Sequence, residues 1–280
     1  MELTAEDVAG VVAAALAEDV GDGDRTTDGI VPLAVRCRGQ VLVKEPGVVC
    51  GLAAAASVFT TLDPAVTVEV LAADGSRISG PTVVAQIEGP ARAVLTGERV
   101  ALNLLGRLCG IATLTARYVD LVEGTGATIL DTRKTTPGLR ALEKYAVRCG
   151  GGTNHRAGLY DAILIKENHL RIAGGIRPAL AALEPREAPI EVEAETLKEV
   201  VEALAAGADR ILLDNMSPDE TARAVEVVGG RVPLEASGGV TLANVRAYAE
   251  TGVEFISVGA LTHAARSLDV SLELDLTSLR

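Results

Sequence analysis

Residues 190–239 have the sequence IEVEAETLKEVVEALAAGADRILLDNMSPDETARAVEVVGGRVPLEASGG, and the fold class follows from this stretch. Short apolar runs alternate in it with segments whose apolar residues have the spacing of an amphipathic helix. In chain order these five segments are 190–194, 196–206, 210–214, 218–228 and 232–236. Strands and helices that alternate in this way form parallel βαβ units with right-handed crossovers, so the stretch predicts an α/β fold.

The same alternation continues on both sides of this stretch. Further strand-like runs lie at 127–131, 161–165 and 255–259, and further helix-like segments lie at 138–148, 175–184 and 241–251. Six parallel strands with helices between them predict a barrel that is incomplete or short of the usual eight strands. A last alternating run, at 269–275, predicts a strand that returns to the N-terminal part of the chain.

The first 90 residues have a mixed α+β pattern instead. Thr4 is the predicted N-cap of a first amphipathic helix, which extends to Asp19 and has Asp7 at the capping-box position. Further along, we predict strands at 36–44, 47–50, 66–72 and 82–88 and an Ala-rich helix at 52–62. Turn signals such as Asp-Gly and Gly-Pro separate these segments.

A long helical stretch, from Pro90 to about Glu123, separates the N-terminal α+β part of the chain from the part in which strands and helices alternate. We expect it to be interrupted near Gly106 or Gly110, because glycine weakens a helix interior. At 280 residues the chain allows one large α/β domain or two smaller ones. With 48% hydrophobic and only 2% aromatic residues, its core must be built from Ala, Val, Leu and Ile.

Charge and cysteine usage exclude several classes of protein. A formal net charge of −12 argues against non-specific binding to nucleic acid or to a membrane surface, since both need broad positive surface. The four cysteines, at 37, 50, 109 and 149, have no C-x-x-C spacing, so neither a zinc site nor a disulfide framework is indicated. The N-terminus has no basic region ahead of its apolar residues, and no run of about 18 apolar residues occurs. We therefore expect a soluble, cytoplasmic protein with reduced thiols.

One stretch, residues 131–169, has a net positive charge in this otherwise acidic chain: DTRKTTPGLRALEKYAVRCGGGTNHRAGLYDAILIKENH. It holds seven Lys or Arg against four Asp or Glu, together with two of the three histidines. The glycine run at 150–152 precedes Thr-Asn-His-Arg, which suggests backbone brought close to a ligand beside a fork-shaped guanidinium. The stretch indicates a site for a small anion, and the alternative is a solvated basic helix followed by a loop.

Polar residues follow the predicted barrel strands at the point where each strand ends. They are Asp131, Arg133, Lys134, Lys166, Glu193, Glu195, Asp214, Asn215, Ser237, Gly238, Gly239 and Gly259. Ligand-binding groups of α/β barrels lie at the carboxyl ends of the strands, so this set predicts the active site. Glu191 and Glu195 also fit ordinary barrel or surface acids, and Glu193 is favoured among the three.

Two loops and two carboxylates indicate phosphate and metal binding. The segments SGG at 237–239 and VGALTH at 258–263 are similar to the paired phosphate-binding loops of many barrels. In such loops, glycine amides and a helix N-terminus, here expected near Thr241, point at an oxyanion. Glu193 and Asp214 beside a phosphate would suit Mg²⁺, which prefers oxygen ligands. The alternative is that both carboxylates pair with nearby Lys or Arg.

These motifs closely resemble the signature of the quinolinate phosphoribosyltransferases, also called nicotinate-nucleotide pyrophosphorylases (carboxylating). Besides 131–169, the resemblance includes ERVALNLLGRLCGIAT, IEVEAETL, ILLDNM, LEASGG and YAETGVEFISVGALTH, and the N-terminal EDVGDGDRTT and KEPGVVCGL also fit. It implies an N-terminal α/β sandwich domain, residues 1–112 joined by a C-terminal strand at 268–280. The remaining residues, 113–267, would form a partial α/β (TIM-like) barrel.

The resemblance also implies a reaction and a set of site residues. The family transfers phosphoribosyl from phosphoribosyl pyrophosphate to quinolinate with decarboxylation, a step of de novo NAD biosynthesis, in homodimers with shared active sites and Mg²⁺. By similarity, quinolinate would be bound by Thr132, Arg133, His155, Arg156 and Lys166, with Arg99 from the partner subunit. By the same matching, phosphoribosyl pyrophosphate would be bound by Lys134, Glu193, Asp214, Ser237, Gly238, Gly239, Gly259, Ala260 and His263. Of these, Glu193 and Asp214 would hold the Mg²⁺.

The roles of a few residues stay open at this point. Arg107 lies two helical turns beyond Arg99, so it could assist the partner's site or lie at the surface or interface. His169 is more typical of a loop-stabilising histidine than of a ligand. Arg140 begins a basic stripe that recurs every four residues, which could face an anion or solvent.

Three other functions fit parts of the sequence. A phosphoribosyltransferase for another aromatic acid, such as nicotinate, would not need so many cations. A barrel lyase or aldolase would use Lys134 or Lys166 as a Schiff-base nucleophile. A non-catalytic relative that serves in metal transport or binding would have no need of both Glu193 and Asp214.

Overall fold

The computed structural model of the chain describes residues 4–185 and 188–275. They divide into two compact units, each described by itself below. The first unit contains the residues up to 116, residues 135–151 and the residues from 262 on, and the second contains residues 117–134 and 152–261. The predicted domains, with their boundary at 112/113, differ from these units mainly at 135–151, which the sequence pattern assigned to the barrel. Of the predicted strand 268–280, residues 276–280 lie outside the described residues.

The helices and strands are listed here in chain order, with labels that are used throughout. They are α1 (Ala5–Val20), α2 (Arg25–Ile30), β1 (Arg36–Val43), β2 (Gly47–Val48), α3 (Leu52–Leu62), β3 (Thr67–Val70), β4 (Arg77–Ile78), β5 (Thr82–Pro90), α4 (Ala91–Val122), β6 (Thr128–Leu130), α5 (Arg140–Cys149), β7 (Ile163–Ile165), α6 (Glu167–Ala173), α7 (Ile176–Ala181), β8 (Ile190–Ala194), α8 (Leu197–Ala206), β9 (Arg210–Asp214), α9 (Pro218–Val228), β10 (Leu234–Ser237), α10 (Val245–Ala249), β11 (Phe255–Ser257), α11 (Ala260–His263) and β12 (Val270–Asp275).

A four-stranded antiparallel sheet, in the order β12-β1-β5-β3, is the centre of the first unit. β12 pairs with β1, which confirms that the C-terminal strand returns to the N-terminal part. Exposed and buried residues alternate along β1, as in a sheet with one covered face. α1 packs against α3, and the predicted capping box is confirmed, because Asp7 N donates to Thr4 Oγ1 at 3.1 Å while Thr4 N donates to Asp7 Oδ2 at 3.0 Å.

α4 is one helix of 32 residues, so the predicted interruption at Gly106 or Gly110 is wrong. Leu268 N donates to Gly106 O at 3.0 Å, and a β-carbon on Gly110 would overlap the carbonyl oxygen of Arg266. Both glycines therefore let the segment that precedes β12 lie directly on the helix surface. Glycine marks close packing in this helix, and the packing outweighs its low helix propensity.

A six-stranded parallel sheet, in the order β6-β11-β10-β9-β8-β7, forms the second unit. β6 and β7 stand at the two ends of this order, so the sheet is open, as expected for a partial barrel. All five residues of β8 are buried, which is typical of a parallel strand covered on both faces. Helices follow most strands, as the alternating sequence pattern predicts.

Two helices of the second unit differ from the predictions. α6, at Glu167–Ala173, was not predicted, because its seven residues are too few to show a helical period. α10 covers only Val245–Ala249, whereas 241–251 was predicted. Thr241 N donates to Asn244 Oδ1 at 2.7 Å, and this side-chain bond holds 241–244 in a turn.

Aliphatic side chains make up most of the buried core, as the composition predicts. Phe59 in α3 is a fully buried aromatic residue, and the buried tyrosines are Tyr118 and Tyr248. Within residues 4–185 and 188–275, no helix combines the length and the apolar character needed to cross a bilayer.

Candidate active site

A cavity of about 480 Å³ lies at the carboxyl ends of the parallel strands in the second unit. It is lined by Thr132, Arg133, Lys134, His155, Arg156, Leu164, Lys166, Glu193, Leu212, Asp214, Glu235, Ser237 and Ser257. Most of the predicted site residues therefore line one cavity. A larger cavity, of about 670 Å³, lies on the four-stranded sheet of the first unit, and none of the predicted site residues line it.

Lys166 and Glu193 form an ion pair in this cavity. Lys166 Nζ lies 2.6 Å from Glu193 Oε2, and Glu167 N donates to the other oxygen of Glu193 at 3.1 Å. Only 8% of Glu193 is exposed. Its carboxylate is therefore fixed from two sides, by an ammonium group and by the first backbone N–H of α6.

Asp214 lies within electrostatic reach of a like charge and of two cations. Burial raises the pKa of Asp214 and the charge of Glu193 raises it further, whereas Lys166 and Lys134 lower it. Asn215 Nδ2 donates to Asp214 Oδ2 at 2.8 Å. Two carboxylates that repel each other form the oxygen-rich donor set that Mg²⁺ prefers, so the residues present fit a divalent cation.

Arg133 and Arg156 bring two guanidinium groups into the same cavity. Burial lowers the pKa of Arg156 and the positive charge of Arg133 lowers it further, while Asp161 and Glu191 raise it. Arg156 Nη1 donates to Ala162 O at 3.2 Å, which fixes one side of its fork. Two cations that repel each other in one cavity indicate a ligand with more than one negative charge.

His155 is held by hydrogen bonds at its backbone and at both ring nitrogens. His155 N donates to Asp131 Oδ1 at 2.8 Å, and Arg156 N donates to His155 Nδ1 at 2.7 Å. Because Nδ1 accepts this bond, the ring proton is assigned to Nε2, which donates to Glu191 Oε2 at 3.0 Å. The protein thus engages both nitrogens, and the imidazole ring holds the backbone of Arg156 in place.

A buried ionic cluster that the sequence analysis missed lies next to His155. Arg210 Nη2 is 2.9 Å from Glu235 Oε2, and Arg210 Nε is 3.3 Å from Glu191 Oε1. The Arg210 guanidinium carbon also lies 3.8 Å from the centroid of the Phe255 ring. The pKa of Glu235 is raised to about 7, first by burial and then by the charge of Glu191, although His155 and Arg210 act in the opposite direction. An acid in the middle of the apolar strand β10 was the signal that could have revealed this cluster.

The predicted phosphate-binding residues after β10 form a tight glycine turn. Ser237 lines the cavity, and Gly238 and Gly239 follow it with φ values of 87° and 62°. Asn215 N donates to Ser237 O at 2.9 Å, and a β-carbon on Gly238 would overlap the Asn215 side chain. Only glycine combines this left-handed backbone with such a close approach.

The second predicted phosphate loop follows β11. Gly259 precedes α11, which begins at Ala260 and ends at the exposed His263 in the first unit. The helix N-terminus that we predicted near Thr241 lies at Val245 instead. The backbone N–H groups of the glycine turns are therefore the candidate donors to an oxyanion, without the help of α10.

Two predicted or open positions lie on α4 in the first unit. Arg99 is exposed. Arg107 Nη2 donates to Glu143 Oε1 at 2.9 Å, and its Nη1 donates to Ala265 O at 2.8 Å. The buried carboxylate of Glu143 also accepts from Thr136 N at 3.1 Å. Arg107 therefore stabilises the first unit by bonding to α5 and to the segment after α11.

The other open positions also have structural partners. Lys166 N donates to His169 Nδ1 at 3.0 Å, which confirms that His169 stabilises the start of α6. In the basic stripe of α5, Lys144 is only 1% exposed, and Arg140 Nε donates to Thr135 Oγ1 at 2.9 Å. The stripe is therefore not a solvated face.

Two family models together match almost the whole chain. Residues 24–109 match the N-terminal domain of quinolinate phosphoribosyl transferase, and residues 111–273 match its C-terminal domain. The chain belongs to the quinolinate phosphoribosyltransferase family. As a member of this family it is a phosphoribosyl-transferring enzyme, and the cavity of the second unit lies in the matched C-terminal domain.

Similar proteins occur among curated sequences and among solved structures. A probable nicotinate-nucleotide pyrophosphorylase (carboxylating) from Synechocystis sp. is 48% identical over 267 residues, which cover 92% of this chain and 90% of the relative. The corresponding Bacillus subtilis protein is 44% identical over 266 residues, covering 93% and 91%. The structure of NadC from Streptococcus pyogenes is 40% identical and superimposes with a TM-score of 0.93, covering 98% of this chain and 99% of NadC.

The site geometry also bears on the competing functions. A Schiff-base lyase needs a neutral, nucleophilic lysine. The Lys166 ammonium is instead held in an ion pair with the Glu193 carboxylate, with 2.6 Å between Nζ and Oε2, so it is not free to attack a carbonyl group. Together with membership of the quinolinate phosphoribosyltransferase family, this ion pair disfavours a lyase.

Proposed function

We propose that this chain transfers the phosphoribosyl group of phosphoribosyl pyrophosphate to the ring nitrogen of quinolinate and then removes one carboxyl group as carbon dioxide. The products would be nicotinate mononucleotide and pyrophosphate, in de novo NAD biosynthesis. The observation that carries the proposal is one cavity, in a domain of this family, that combines the guanidinium groups of Arg133 and Arg156 with the carboxylates of Glu193 and Asp214. The guanidinium groups bind anionic substrates, and the carboxylates stabilise the positive charge that develops on the sugar in the transition state.

Quinolinate has two adjacent carboxylates, and we assign them to the arginine pair. The planar forks of Arg133 and Arg156 can each bind a carboxylate through two parallel hydrogen bonds, which an ammonium group cannot do. Lys166 and Thr132 line the same cavity, and they add a positive charge and a hydroxyl group to it. His155 acts here as a positioning residue, because its ring nitrogens already bond to Arg156 N and to Glu191.

We assign Mg²⁺ to Glu193 and Asp214. Bound there, the ion would neutralise charge on the pyrophosphate leaving group. Donor atoms of His155, Glu191 and Glu235 also lie within 4.8 Å of one another, which is a spacing that suits a metal. Glu193 is also paired with a cation, but that cation, Lys166, is half-exposed and can turn towards a substrate. Arg210 is instead mostly buried between Glu191 and Glu235, so this second set is the poorer metal site.

The remaining groups of phosphoribosyl pyrophosphate meet cations and backbone amides. Lys134 lines the cavity close enough to lower the pKa of Asp214, and we assign it to the pyrophosphate. Ser237 and the N–H groups of the glycine turn after it are assigned to the 5-phosphate. Gly259, Ala260 and His263 complete this assignment by family similarity.

The chemistry requires no protein nucleophile. The bond between the anomeric carbon and pyrophosphate oxygen breaks with its electron pair on the leaving group, and the quinolinate nitrogen donates its lone pair to form the new C–N bond. Glu193 and Asp214 stabilise positive charge on the ribose, while Lys134 stabilises the leaving group. The carboxylate next to the quaternised nitrogen then leaves as carbon dioxide. The ring carbon keeps the electron pair, which the positive nitrogen stabilises, and takes up a proton.

An assay with defined substrates tests this proposal. The chain, quinolinate, phosphoribosyl pyrophosphate and Mg²⁺ together should yield nicotinate mononucleotide with one carbon dioxide released per product. Replacing quinolinate by nicotinate should leave little turnover. Nicotinate has only one carboxylate, so one of the two arginines would have no carboxylate to bind. Absence of product, or equal turnover of nicotinate, contradicts the quinolinate assignment.

Assembly and compartment are part of the same proposal. A homodimer in which Arg99 of the partner subunit reaches the quinolinate site is supported by family similarity and by the exposure of Arg99 on α4. A cytoplasmic location is supported by the four cysteines, which are all free and would stay reduced there.

A further inference from the structure

Three of the four cysteines meet in the first unit, outside the site described above. Cys50 N donates to Cys109 Sγ at 3.2 Å, and Cys109 Sγ lies 3.4 Å from Cys50 O. The sulfur atoms of Cys50 and Cys149 and a carboxylate oxygen of Asp74 all lie within 4.8 Å of one another. No step of the proposed reaction uses these thiols, so their grouping calls for a separate explanation.

The three thiols differ in their access to solvent. Cys50 and Cys109 are completely buried, whereas Cys149 is the last residue of α5 and is partly exposed. A small oxidant therefore reaches Cys149 before it reaches the other two. The sulfur of the buried Cys50 lies within 4.8 Å of the Cys149 sulfur, a separation that a modest movement of two side chains could close to a disulfide.

The surroundings of Cys149 also favour its reactive form. A hydrogen bond from Cys50 is the main cause that lowers the pKa of Cys149, and Tyr145 and the positive charge of Arg148 lower it further. Burial and the charge of Asp74 act in the opposite direction. The Arg148 guanidinium carbon lies 5.5 Å from the centroid of the Tyr145 ring, which holds this cation near the end of the helix. A partly exposed thiol with a cation beside it is typical of cysteines that react with peroxides.

We propose that Cys149 and Cys50 are a peroxide-reactive pair that closes to a disulfide. The Cys149 thiolate attacks one oxygen of hydrogen peroxide, the O–O bond breaks, and hydroxide leaves and is protonated to water, so Cys149 becomes a sulfenic acid. The Cys50 sulfur then attacks the Cys149 sulfur and displaces its hydroxyl group, which leaves as a second water with the proton of the Cys50 thiol. Two thiols are oxidised and one peroxide is reduced to two waters.

Binding of a metal ion is the other chemistry that two thiols and a carboxylate suggest, and the structure disfavours it. The Asp74 oxygens accept from Gly51 N at 3.0 Å, from Leu52 N at 3.3 Å and from the Tyr145 hydroxyl at 2.9 Å. The carboxylate therefore already stabilises the first N–H groups of α3. A metal ligand would have to share or give up these bonds, whereas a disulfide between the two cysteines leaves them intact.

Peptide mapping after mild oxidation tests the proposal on the full-length chain. The reduced protein is treated with a few equivalents of hydrogen peroxide, alkylated under denaturing conditions and cleaved with trypsin. The expected product is the peptide 45–77, which contains Cys50, linked to the peptide 149–156, which contains Cys149. The number of thiols that can be alkylated should fall from four to two per chain, and dithiothreitol should restore all four.

Single substitutions separate the possible outcomes. Cys50→Ser should stop the reaction at a sulfenic acid on Cys149 that dimedone traps, whereas Cys109→Ser and Cys37→Ser should leave the cross-link unchanged. A cross-link that includes the peptide 108–117 would assign the pair to Cys109 and overturn the proposal. The proposal would also be wrong if Cys149 can still be alkylated completely after peroxide treatment. It would be wrong, too, if the purified protein contains zinc that protects both thiols from peroxide.

Discussion

Arg133 and Arg156 illustrate how much the site depends on the shape of its cations. A lysine at either position would keep the charge but lose the planar fork that binds a carboxylate through two hydrogen bonds. We expect Arg156→Lys to raise the KM for quinolinate roughly 10–100-fold, since a charged hydrogen bond contributes about 1.5–3 kcal/mol. The KM for phosphoribosyl pyrophosphate should change far less. Steady-state kinetics with each substrate varied in turn measures both values.

The control for this substitution is Arg171→Lys on the outer surface of α6. Arg171 has a long, exposed ion pair with Glu167, at 3.5 Å, so its replacement should leave both KM values unchanged. If Arg156→Lys raises both KM values equally, Arg156 does not discriminate between the substrates, and the assignment of quinolinate to it is wrong.

Glu235 should link stability to pH. Burial raises its pKa from 4.5 to about 7, so between these values the unfolded chain has released a proton that the folded protein retains. The free energy of unfolding therefore falls as the pH rises through this window. The glutamine of Glu235→Gln has no proton to lose. Between pH 5 and pH 8 the free energy of unfolding of the wild-type protein should therefore fall by roughly 1–3 kcal/mol more than that of the variant.

Urea unfolding of both proteins at a series of pH values measures this difference. Glu226→Gln, which replaces an exposed carboxylate on α9, is the matched control and should follow the wild-type profile. Parallel profiles for the wild-type protein and Glu235→Gln would mean that Glu235 is already ionised in the folded protein at pH 5.

Among the secondary-structure elements, α4 provides the clearest test of packing. A β-carbon on Gly110 would overlap the carbonyl oxygen of Arg266, and backbone on both sides leaves little freedom to move. Gly110→Ala should therefore destabilise the protein by about 1–3 kcal/mol, the usual cost of overpacking. Gly10→Ala, in the middle of α1 with no atom near the new methyl group, should stabilise it by roughly 0.5–1 kcal/mol. Urea unfolding gives both values, and a change of the same sign in both variants would contradict this account of α4.

The same elements show what sequence patterns can and cannot predict. The strands of the second unit were predicted to within two residues at each end, because a short apolar run between two helix-like segments is local information. α4 was predicted with a break, since the segment that packs on Gly106 and Gly110 comes some 160 residues later in the chain. The side chains at strand ends could be placed in one cavity from the βα pattern alone. The sequence pattern does not show which side chains pair with one another inside the sheet. The pairing of Glu235 with Arg210 therefore became visible only in the structure.

At the scale of the whole molecule, the proposed dimer can be tested by combining two inactive variants in one dimer. Arg99→Ala and Arg133→Ala chains should each be inactive, because each site would lack one arginine. After co-expression or refolding together, half of the dimers pair one chain of each kind, and one site of such a dimer contains both arginines. Activity should therefore return to about a quarter of the wild-type value. If mixing restores nothing while mixed dimers are present, Arg99 does not act across the interface.

The pairing of β12 with β1 has a consequence for synthesis on the ribosome. Asp275 lies opposite Arg38 in this ladder, so β1 leaves the exit tunnel long before its neighbour has been translated. The second unit ends at residue 261 and can be completed earlier. Until the last strand emerges, β1 is an edge strand whose backbone N–H and C=O groups have no neighbour on one side. The N-terminal sheet, although made first, is therefore finished last, and nascent chains that stall before β12 would expose an edge on which holdase chaperones or other nascent chains can add a strand.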